Sequence, residues 1–418
     1  MNASVQSELD RLFRTDSRYI LAALIRLVGD FDLAEESIQE AFASAAAKWP
    51  TEGIPANPRS WLISTARFKA IDRMRRDQRV TLGQSGDDFG LAPSAEFDQI
   101  VDEQIEDDML RLIFICSHPD LSIEAQVALT LREVCGLSTE EVAKAFLLPV
   151  PTMAQRLSRA KSRLRDNGAV LESPTPDQWN ARLNSVLKVI YLVFNEGYYS
   201  SSGDSLTTAR LSEEAIRLAE LLSHLISNAE IHGLIAMMRF AESRRTAREQ
   251  NGRIVLLEDQ DRSKWDQSQI EQALASLAQS LHLSEHGYYA LQAMLAAEHA
   301  KAETSEATDW LRIVQVYDHL YAISPSPVIK LNQAVAVAMS GQIEPGLAQI
   351  VELIENGQLR GYGLAHAARA DLLRRLGRFA EAVPSYEEAL SLSQMSPEKK
   401  FLKSRIREME KLIAEKNV

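Results

Sequence analysis

The chain has 418 residues and a net charge of −12, a length that predicts two to four domains. The 45% hydrophobic and 25% charged content is ordinary for a globular protein, and the low aromatic content of 6% favours a mostly helical fold. No apolar run reaches the ~18 residues of a membrane-spanning helix, and the start lacks a secretory signal, so we expect a cytoplasmic protein with no membrane partner. Two cysteines, Cys116 and Cys135, exclude a disulfide framework.

Residues 1–80 read as a compact helical unit. We expect one helix over residues 8–29, ending at Gly29, and a second that begins at Asp32, with Glu35 at capping-box spacing. The second helix has an apolar stripe that must pack inward, which leaves polar side chains on the opposite face. The stripe consists of Ile38, Ala41, Phe42 and Ala45, and the outward residues are Glu36, Gln39 and Glu40. A Pro- and Gly-punctuated loop is expected over residues 49–55.

A strongly basic helix follows over residues 57–79. Asn57 is placed to cap it, Pro58 occupies the favoured first helical position, and apolar residues recur every four positions from Leu62 to Met74. Seven basic residues face two acidic ones, a local charge of 7 − 2 = +5. In an acidic chain such a helix indicates an anionic partner, although a solvated helix end is the alternative.

The composition changes over residues 83–108, where nine acidic residues meet no Lys or Arg. We expect an extended linker over residues 81–108 that becomes helical near its end. A solvated spacer without a binding role is the alternative.

A second helical unit is predicted over residues 109–170. Ser138 and Glu141 form a capping box, with Leu137 and Val142 placed as a hydrophobic staple. A short Pro-bearing turn then leads to a helix with five basic residues and no acidic one between positions 150 and 165. Met153, Leu157, Ala160 and Leu164 define its inward stripe, and Thr152, Arg156, Arg159 and Arg163 follow the same spacing one residue earlier. Two helices joined this way are typical of a helix-turn-helix.

Long Ala- and Leu-rich helices follow residues 173–176. The segment 249–262 interrupts them with an Asn-Gly turn signal and a short strand or extended loop at residues 254–257. In the last third, Gly341 and Gly377 occupy comparable places 36 residues apart, and LGRFAEAVPSYEEAL resembles the middle of a tetratricopeptide repeat.

Together these stretches resemble the extracytoplasmic-function (group IV) sigma factors of the sigma-70 family. Region 2.2 resembles FDLAEESIQEAF, regions 2.3–2.4 resemble NPRSWLISTARFKAIDRMRR, and region 4.2 resembles LSTEEVAKAFLLPVPTMAQRLSRAKSRLR. The remaining residues resemble the C-terminal extension of a subgroup with tetratricopeptide-like repeats, most clearly in VIYLVFNEGY and NGRIVLLEDQDRSKW. The resemblance implies an all-α protein of two small sigma modules followed by a helical-repeat extension. The expected boundaries are region 2 at 1–80, acidic linker at 81–108, region 4 with its helix-turn-helix at 109–170, helical extension at 175–284 and tetratricopeptide-like repeats at 285–418.

The resemblance also implies a non-enzymatic role as a sigma factor. Such a protein binds core RNA polymerase through the β′ clamp helices and the β flap, recognises promoter DNA at the −10 and −35 elements and directs transcription initiation. Its acidic linker would lie in a basic polymerase channel, and its extension would regulate it in cis by contacting the sigma regions. No cofactor, metal ion or catalytic residue is expected.

Individual residues take roles from the resemblance. The polymerase-binding set is Asp32, Glu36, Gln39 and Glu40. The −10 set, with the loop at 49–57 holding a base taken out of the stack, is Asn57, Arg59, Trp61, Arg67, Lys69, Arg73, Arg75 and Arg76. The −35 set, which would enter the major groove, is Thr152, Gln155, Arg156, Arg159 and Arg163. Phe68 departs from the family pattern, in which asparagine is usual.

Two other functions remain open at this stage. One is an autonomous helix-turn-helix regulator with a repeat-type sensor domain, which the acidic linker disfavours. The other is an enzyme centred on residues 249–262, where Asp259, Asp261 and Arg262 imitate a catalytic cluster but lack a nucleophile or a phosphate loop. An intramolecular salt-bridged loop is the favoured interpretation of that segment, and docking on the sigma regions is a further hypothesis. Two interpretations of Trp61 remain, a core residue or a DNA contact. For His118, which lies near Cys116, packing at a helix end is the favoured interpretation and a metal site is the alternative.

Overall fold

The computed structural model describes residues 3–82, 105–146, 148–168, 176–199, 205–250, 253–283, 286–393 and 396–416. The chain divides into two compact units, Met1–Leu225 and Ile226–Val418. The all-α fold is confirmed. The strands of the described residues are two antiparallel dipeptides, Glu249–Gln250 and Arg253–Ile254, at the place where the sequence predicts a turn and an extended segment. The domain boundaries within the units stay predictions.

The first unit consists of ten described α-helices. They are α1 (Ala3–Thr15), α2 (Ser17–Val28), α3 (Phe31–Glu52), α4 (Pro58–Leu82), α5 (Ile105–Cys116), α6 (Ile123–Leu129), α7 (Thr139–Ala145), α8 (Val150–Asp166), α9 (Pro176–Tyr199) and α10 (Ser205–Leu225). A wider helical turn, Thr130–Val134, continues α6. The predicted linker over residues 83–104 lies outside the described residues.

The predicted single helix over residues 8–29 is wrong, because the chain breaks at Asp16 into α1 and α2. Asp16 is buried, and its carboxylate pairs with Arg59 at the start of α4. The pair therefore satisfies the buried charge at the break between the two helices. The predicted end at Gly29 is confirmed, since Gly29 adopts a left-handed conformation with φ 74°.

Helix α3 begins one residue earlier than predicted and ends later. Its cap is Asp30, whose side chain accepts a hydrogen bond of 2.9 Å from the Leu33 amide, so the predicted capping box at Asp32 is wrong. The predicted loop at 49–55 is also wrong in its first half, because α3 continues through Pro50 to Glu52. Trp49 holds this last turn by packing edge-to-face against Trp61, with ring centroids 5.4 Å apart.

The helix-turn-helix follows the predicted pattern. Ser138 and Glu141 make both bonds of the capping box at the start of α7. In α8 the inward stripe of Met153, Leu157, Ala160 and Leu164 is buried throughout. Apolar periodicity thus fixes which face of α8 is left to solvent.

Helices α9 and α10 belong to the first unit although they follow the sigma-like regions in sequence. Arg182 of α9 donates a hydrogen bond of 3.0 Å to the carbonyl of Phe114 near the end of α5, and its guanidinium lies over the Phe114 ring. Arg217 of α10 lies 3.5 Å from the Tyr19 hydroxyl. The extension therefore begins inside the first compact unit.

The second unit contains nine described α-helices: α11 (Ala229–Ser243), α12 (Gln267–His282), α13 (Tyr288–Lys301), α14 (Trp310–Ile323), α15 (Pro327–Met339), α16 (Ile343–Glu355), α17 (Gly363–Arg375), α18 (Phe379–Leu392) and α19 (Ser396–Lys416). The pairs α15–α16 and α17–α18 start at positions 36 residues apart, and Gly341 and Gly377 both turn with positive φ. This is a helical-hairpin repeat. Its assignment as a tetratricopeptide repeat stays a prediction.

Candidate polymerase and nucleic-acid interface

The predicted −10 residues all lie on or beside α4, which the Asn57 side chain caps by accepting a hydrogen bond of 3.1 Å from the Ser60 amide. The buried face carries Leu62, Ala66 and Ala70. Arg73, Arg75 and Arg76 are exposed near the other end of the helix. The helix thus combines an apolar anchor with a cationic surface.

Two of the predicted −10 residues make contacts with other residues of the protein. Arg59 pairs with the buried carboxylate of Asp16, and its guanidinium carbon lies 5.9 Å from the centre of the Tyr19 ring. Trp61 is half-buried and packs on Trp49. These contacts give both side chains a packing role, whatever further contact they make.

The predicted polymerase-binding residues lie beside the −10 residues on one surface. Asp32, Glu36, Gln39 and Glu40 are all exposed on α3. Glu36 pairs with Arg73, and Glu40 lies 3.3 Å from Lys69, both across to α4. A polar groove of about 610 Å³ is lined by residues of both helices. One of these residues is Phe68, which is 49% exposed. Carboxylates and cations therefore alternate across the α3–α4 surface.

The predicted −35 residues lie on the outer face of α8. Thr152, Gln155, Arg159 and Arg163 are exposed, and Arg156 is half-buried with its guanidinium 5.6 Å from the centre of the Phe146 ring. Arg159 and Arg163 are therefore the open cations of this face, whereas Phe146 covers part of Arg156. The geometry suits phosphate contacts from Arg and base contacts from Thr or Gln.

Lys161 is the functional candidate that sequence reasoning missed. Its side chain is buried, and its Nζ lies 2.9 Å from Glu35, 3.1 Å from Glu133 and 3.3 Å from Asp32. Around this centre, Arg132 reaches Glu35 at 3.1 Å. We name these residues the Lys161 cluster: Asp32, Glu35, Arg132, Glu133 and Lys161. The sequence carried a signal, because Lys161 follows Leu157 by four residues and so lies on the inward face of α8.

Burial and the neighbouring charges shift the pKa values of the groups in the Lys161 cluster in opposite directions. Burial lowers the pKa of Lys161, but the carboxylates of Glu133 and Glu35 outweigh it and hold the pKa above its ordinary value. Burial also raises the pKa of Glu133, whose side chain is fully enclosed, despite the attraction of Lys161. For Glu35, burial opposes ionisation, but Lys161 and Arg132 lower the pKa below its ordinary value. Lys161 and Glu35 therefore form the firmly ionised core of the cluster.

In the segment 249–262, the residues that imitate a catalytic cluster make hydrogen bonds and ring contacts within the second unit. Arg262 donates to the backbone carbonyls of His299 and Ala302 and lies over the Trp265 ring, 4.9 Å from its centre. Asp261 accepts hydrogen bonds from the amide and hydroxyl of Ser263. This arrangement favours the loop interpretation over the enzyme. Docking on the sigma regions stays a prediction.

His118 makes a contact at the end of α5. The His118 Nδ1 accepts a hydrogen bond of 3.2 Å from the Asp120 amide, as expected of a helix-end contact, and Cys116 is buried. Across the described ranges, His, Cys, Asp and Glu nowhere gather in a group of three that can hold a metal ion.

A separate cavity of about 310 Å³ lies in the second unit. Trp310, Tyr317 and Met339 line it, and Glu258 and Arg375 pair at its rim. Burial lowers the pKa of His299, also in the lining, to about 4. That imidazole is therefore neutral near neutral pH.

Comparison with known proteins matches three parts of the chain. Residues 12–80 match Sigma-70 region 2, residues 112–164 match Sigma-70 region 4, and residues 182–281 match a family of unknown function, DUF6596. No solved structure matches the chain. Within the described residues, no helix has the length and apolarity needed to cross a membrane.

Two relatives extend this result. The uncharacterised protein R00370 of Rhizobium meliloti (strain 1021) is 40% identical over 391 residues, which cover 92% of each chain. The probable ECF RNA polymerase sigma factor SigI of Mycobacterium tuberculosis is 26% identical over 162 residues, 37% of this chain and 53% of that protein. Both region matches fall on the helices that carry the exposed basic surfaces. The chain belongs to the extracytoplasmic-function group of the sigma-70 family, in a form with a long C-terminal extension.

Proposed function

We propose that this protein binds core RNA polymerase and directs it to promoters through two separate reading surfaces. The α3–α4 surface engages the β′ clamp helices with its carboxylates and the −10 element with its cations. The outer face of α8 enters the major groove at the −35 element. The observation that carries the proposal is the exposed outer face of α8, where Arg159 and Arg163 follow Thr152 and Gln155 on a helix within the region 4 match.

A small cavity supports the −10 assignment. It measures about 230 Å³ and lies where Asn57, Pro58 and Arg59 meet Arg11 and Asp16. A base taken out of the stack needs a pocket with polar groups for its hydrogen-bonding edge. Asn57 and Arg59 at the start of α4 and Arg11 on α1 place polar groups in the lining of this open pocket.

Run-off transcription with purified core enzyme tests the proposal. We expect a promoter-dependent transcript with the wild-type chain and none with core alone. An Arg159→Ala, Arg163→Ala double variant should still bind core and lose the transcript. The matched control is Lys411→Ala on the exposed face of α19. Absence of both core binding and transcript for the wild-type chain would reject the proposal.

Regulation in cis by the extension is the second part of the proposal. Its support is the packing of α9 and α10 into the first unit, through Arg182 on the Phe114 carbonyl and Arg217 beside Tyr19. A chain ending near Pro174 lacks these helices and the second unit. We expect it to bind core while its promoter output differs from that of the full chain. Equal output from both chains would reject cis-regulation by the extension.

A further inference from the structure

The second unit contains a cleft built from residues outside the two sigma regions. Its inner part is the cavity of about 310 Å³ that Trp310, Tyr317 and Met339 line. A second cavity, of about 500 Å³, shares Trp310 and Met339 with the first, and both are also lined by Glu258 and Arg375. Because the two cavities have these walls in common, they form one cleft with an inner and an outer part.

Three helices of the unit supply packed walls for the inner part. Ile313 lies on α14, Ala336 on α15 and Leu372 on α17, and all three side chains are buried. Ile313 and Ala336 belong to a core cluster of the unit, so other side chains pack behind this wall. Small-molecule sites are mostly preformed and measure about 300–1,000 Å³. The inner part therefore has the walls and the size of such a site.

The segment 249–262 supplies the remaining wall. Leu256 lines the inner part, and Glu258 pairs with Arg375 of α17. Arg262 donates hydrogen bonds to two backbone carbonyls at the end of α13. Contacts with two different helices thus hold the segment along one side of the cleft.

Several apolar side chains keep part of their surface open to the cleft. Trp310, Tyr317, Val335 and Met339 line the inner part and are half-buried. Apolar surface in contact with water is unfavourable, and concave apolar patches of this kind mark ligand-binding grooves. A flat ring can pack against an indole, a phenol and a thioether. The lining therefore favours an aromatic ligand.

The charges of the inner part are paired within the protein. Both carboxylate oxygens of Asp371 accept hydrogen bonds, one from Arg374 and the other from Arg375. Glu258 also pairs with Arg375. His299 is neutral near neutral pH, because burial lowers its pKa to about 4. A charged ligand would lose hydration here and would have to compete with these internal pairs for an opposite charge, so the lining disfavours net charge on the ligand.

The volume limits the size of the ligand. An apolar cavity of about 150 Å³ binds benzene, so about 310 Å³ suits two fused rings. Asn332 and Ser305 also line the inner part, and their side chains can bond to one polar group. We propose that this cleft binds an uncharged bicyclic aromatic molecule with one hydrogen-bonding group, with its rings packed against Trp310 and Tyr317. This site is separate from both promoter-reading surfaces and does not depend on the sigma function.

Fluorine NMR with 5-fluoroindole as the probe tests the site in the full chain without polymerase. The probe is uncharged and bicyclic and carries one N–H donor. We expect the wild-type chain to broaden and shift its signal in a saturable way. Two further probes, 5-fluoroindole-3-carboxylate and 5-fluorotryptamine, carry the same rings with a negative or a positive charge. Each should bind at least about tenfold more weakly, because desolvation penalises the charge.

Two substitutions should fill the cleft from different helices. Ala368→Trp on α17 and Asn332→Trp on α15 each add an indole at a position in the lining of the inner part. Each should weaken binding of 5-fluoroindole at least about tenfold. Asn332 is exposed, which keeps the test valid if Ala368→Trp fails to fold. The matched control is Leu311→Trp, which adds the same side chain at a 62% exposed position outside the lining and should leave binding unchanged.

The outcomes decide for or against the site. Saturable binding that a filling variant removes and Leu311→Trp retains supports it. Absence of saturable binding to the wild-type chain, or unchanged binding in a folded filling variant, would overturn it. A charged probe that binds as tightly as 5-fluoroindole would overturn the assignment to an uncharged ligand. Core polymerase takes no part in these measurements, so failure of the site and failure of the sigma function are distinguishable.

Discussion

Helix α3 carries ion pairs on two sides, and the two sides differ in their access to water. Toward α4, Glu36 and Arg73 are each about half exposed. Toward α8, Glu35 meets Lys161 in a nearly enclosed cluster. Exposed pairs contribute about 0–1 kcal/mol, whereas removing one partner of a buried pair costs about 3–5 kcal/mol. The same residue types thus form an exposed polar surface on one side and an enclosed internal contact on the other.

The largest effect is expected from Lys161→Ala. The variant leaves Glu133 and Glu35 without their shared cation and should lower the unfolding free energy of the first unit by about 3–5 kcal/mol. Scanning calorimetry measures the transition. Adding Glu133→Gln should restore part of the loss, because it removes the buried carboxylate that has lost its partner. If Lys161→Ala lowered the free energy of unfolding by less than about 1 kcal/mol, the ion pairs on the two sides of α3 would contribute equally to stability.

The next effect concerns the outer face of α8. Each of Arg159→Ala and Arg163→Ala should weaken binding of the holoenzyme to promoter DNA by about 1–2 kcal/mol and reduce the slope of log affinity against log salt by about 1. Salt titration of promoter binding measures both. An unchanged slope would place these arginines away from phosphates and leave the inner face as the helix's only charged contact.

The pH dependence of stability sharpens the comparison further. The neutral form of Glu133 contributes stability that is complete below its ordinary pKa and is lost as pH rises through its raised folded pKa. Glu35 has the opposite sign, since its stability is present above its ordinary pKa and is lost as pH falls through its lowered folded pKa. As pH rises above the ordinary pKa of a glutamate, wild type should therefore lose stability relative to Glu133→Gln. Parallel thermal melts of the two chains at a series of rising pH values measure the difference, and curves of equal slope would contradict it.

The smallest change in stability is expected on the α4 side. Lys69→Ala breaks the pair with Glu40, and the free energy of unfolding should change by less than about 1 kcal/mol. Its run-off output should fall nonetheless, since Lys69 lies on the proposed −10 surface. Calorimetry of one preparation gives the change in unfolding free energy, and run-off transcription with the same preparation gives the change in transcript. A stability loss as large as that of Lys161→Ala would show that exposure does not separate the two sides.

Local chemistry predicted much of this surface. The capping box at Ser138 and Glu141 and the buried stripe of α8 follow from short-range spacing, so the outer face of that helix was predictable. The hairpin repeat was also visible, because Gly341 and Gly377 mark turns that need positive φ. The helical fold class follows from such signals, whereas the order of regions 2 and 4 follows from the resemblance to sigma factors.

Contacts between distant segments were not predictable in the same way. Asp16 lies at the break between α1 and α2 and pairs with Arg59, which lies 43 residues later in the chain. Lys161 counted as one more cation of a basic helix, although its partners Asp32 and Glu35 lie more than 120 residues earlier. Apolar periodicity shows which face turns inward, but it does not show what that face meets.

Promoter-dependent transcription with purified core enzyme, compared between the wild-type chain and the Arg159→Ala, Arg163→Ala double variant, tests the central claim most directly. We expect both chains to bind core and only the wild type to yield the transcript, because the outer face of α8 is the proposed −35 surface. An equal amount of transcript from the double variant would contradict the account.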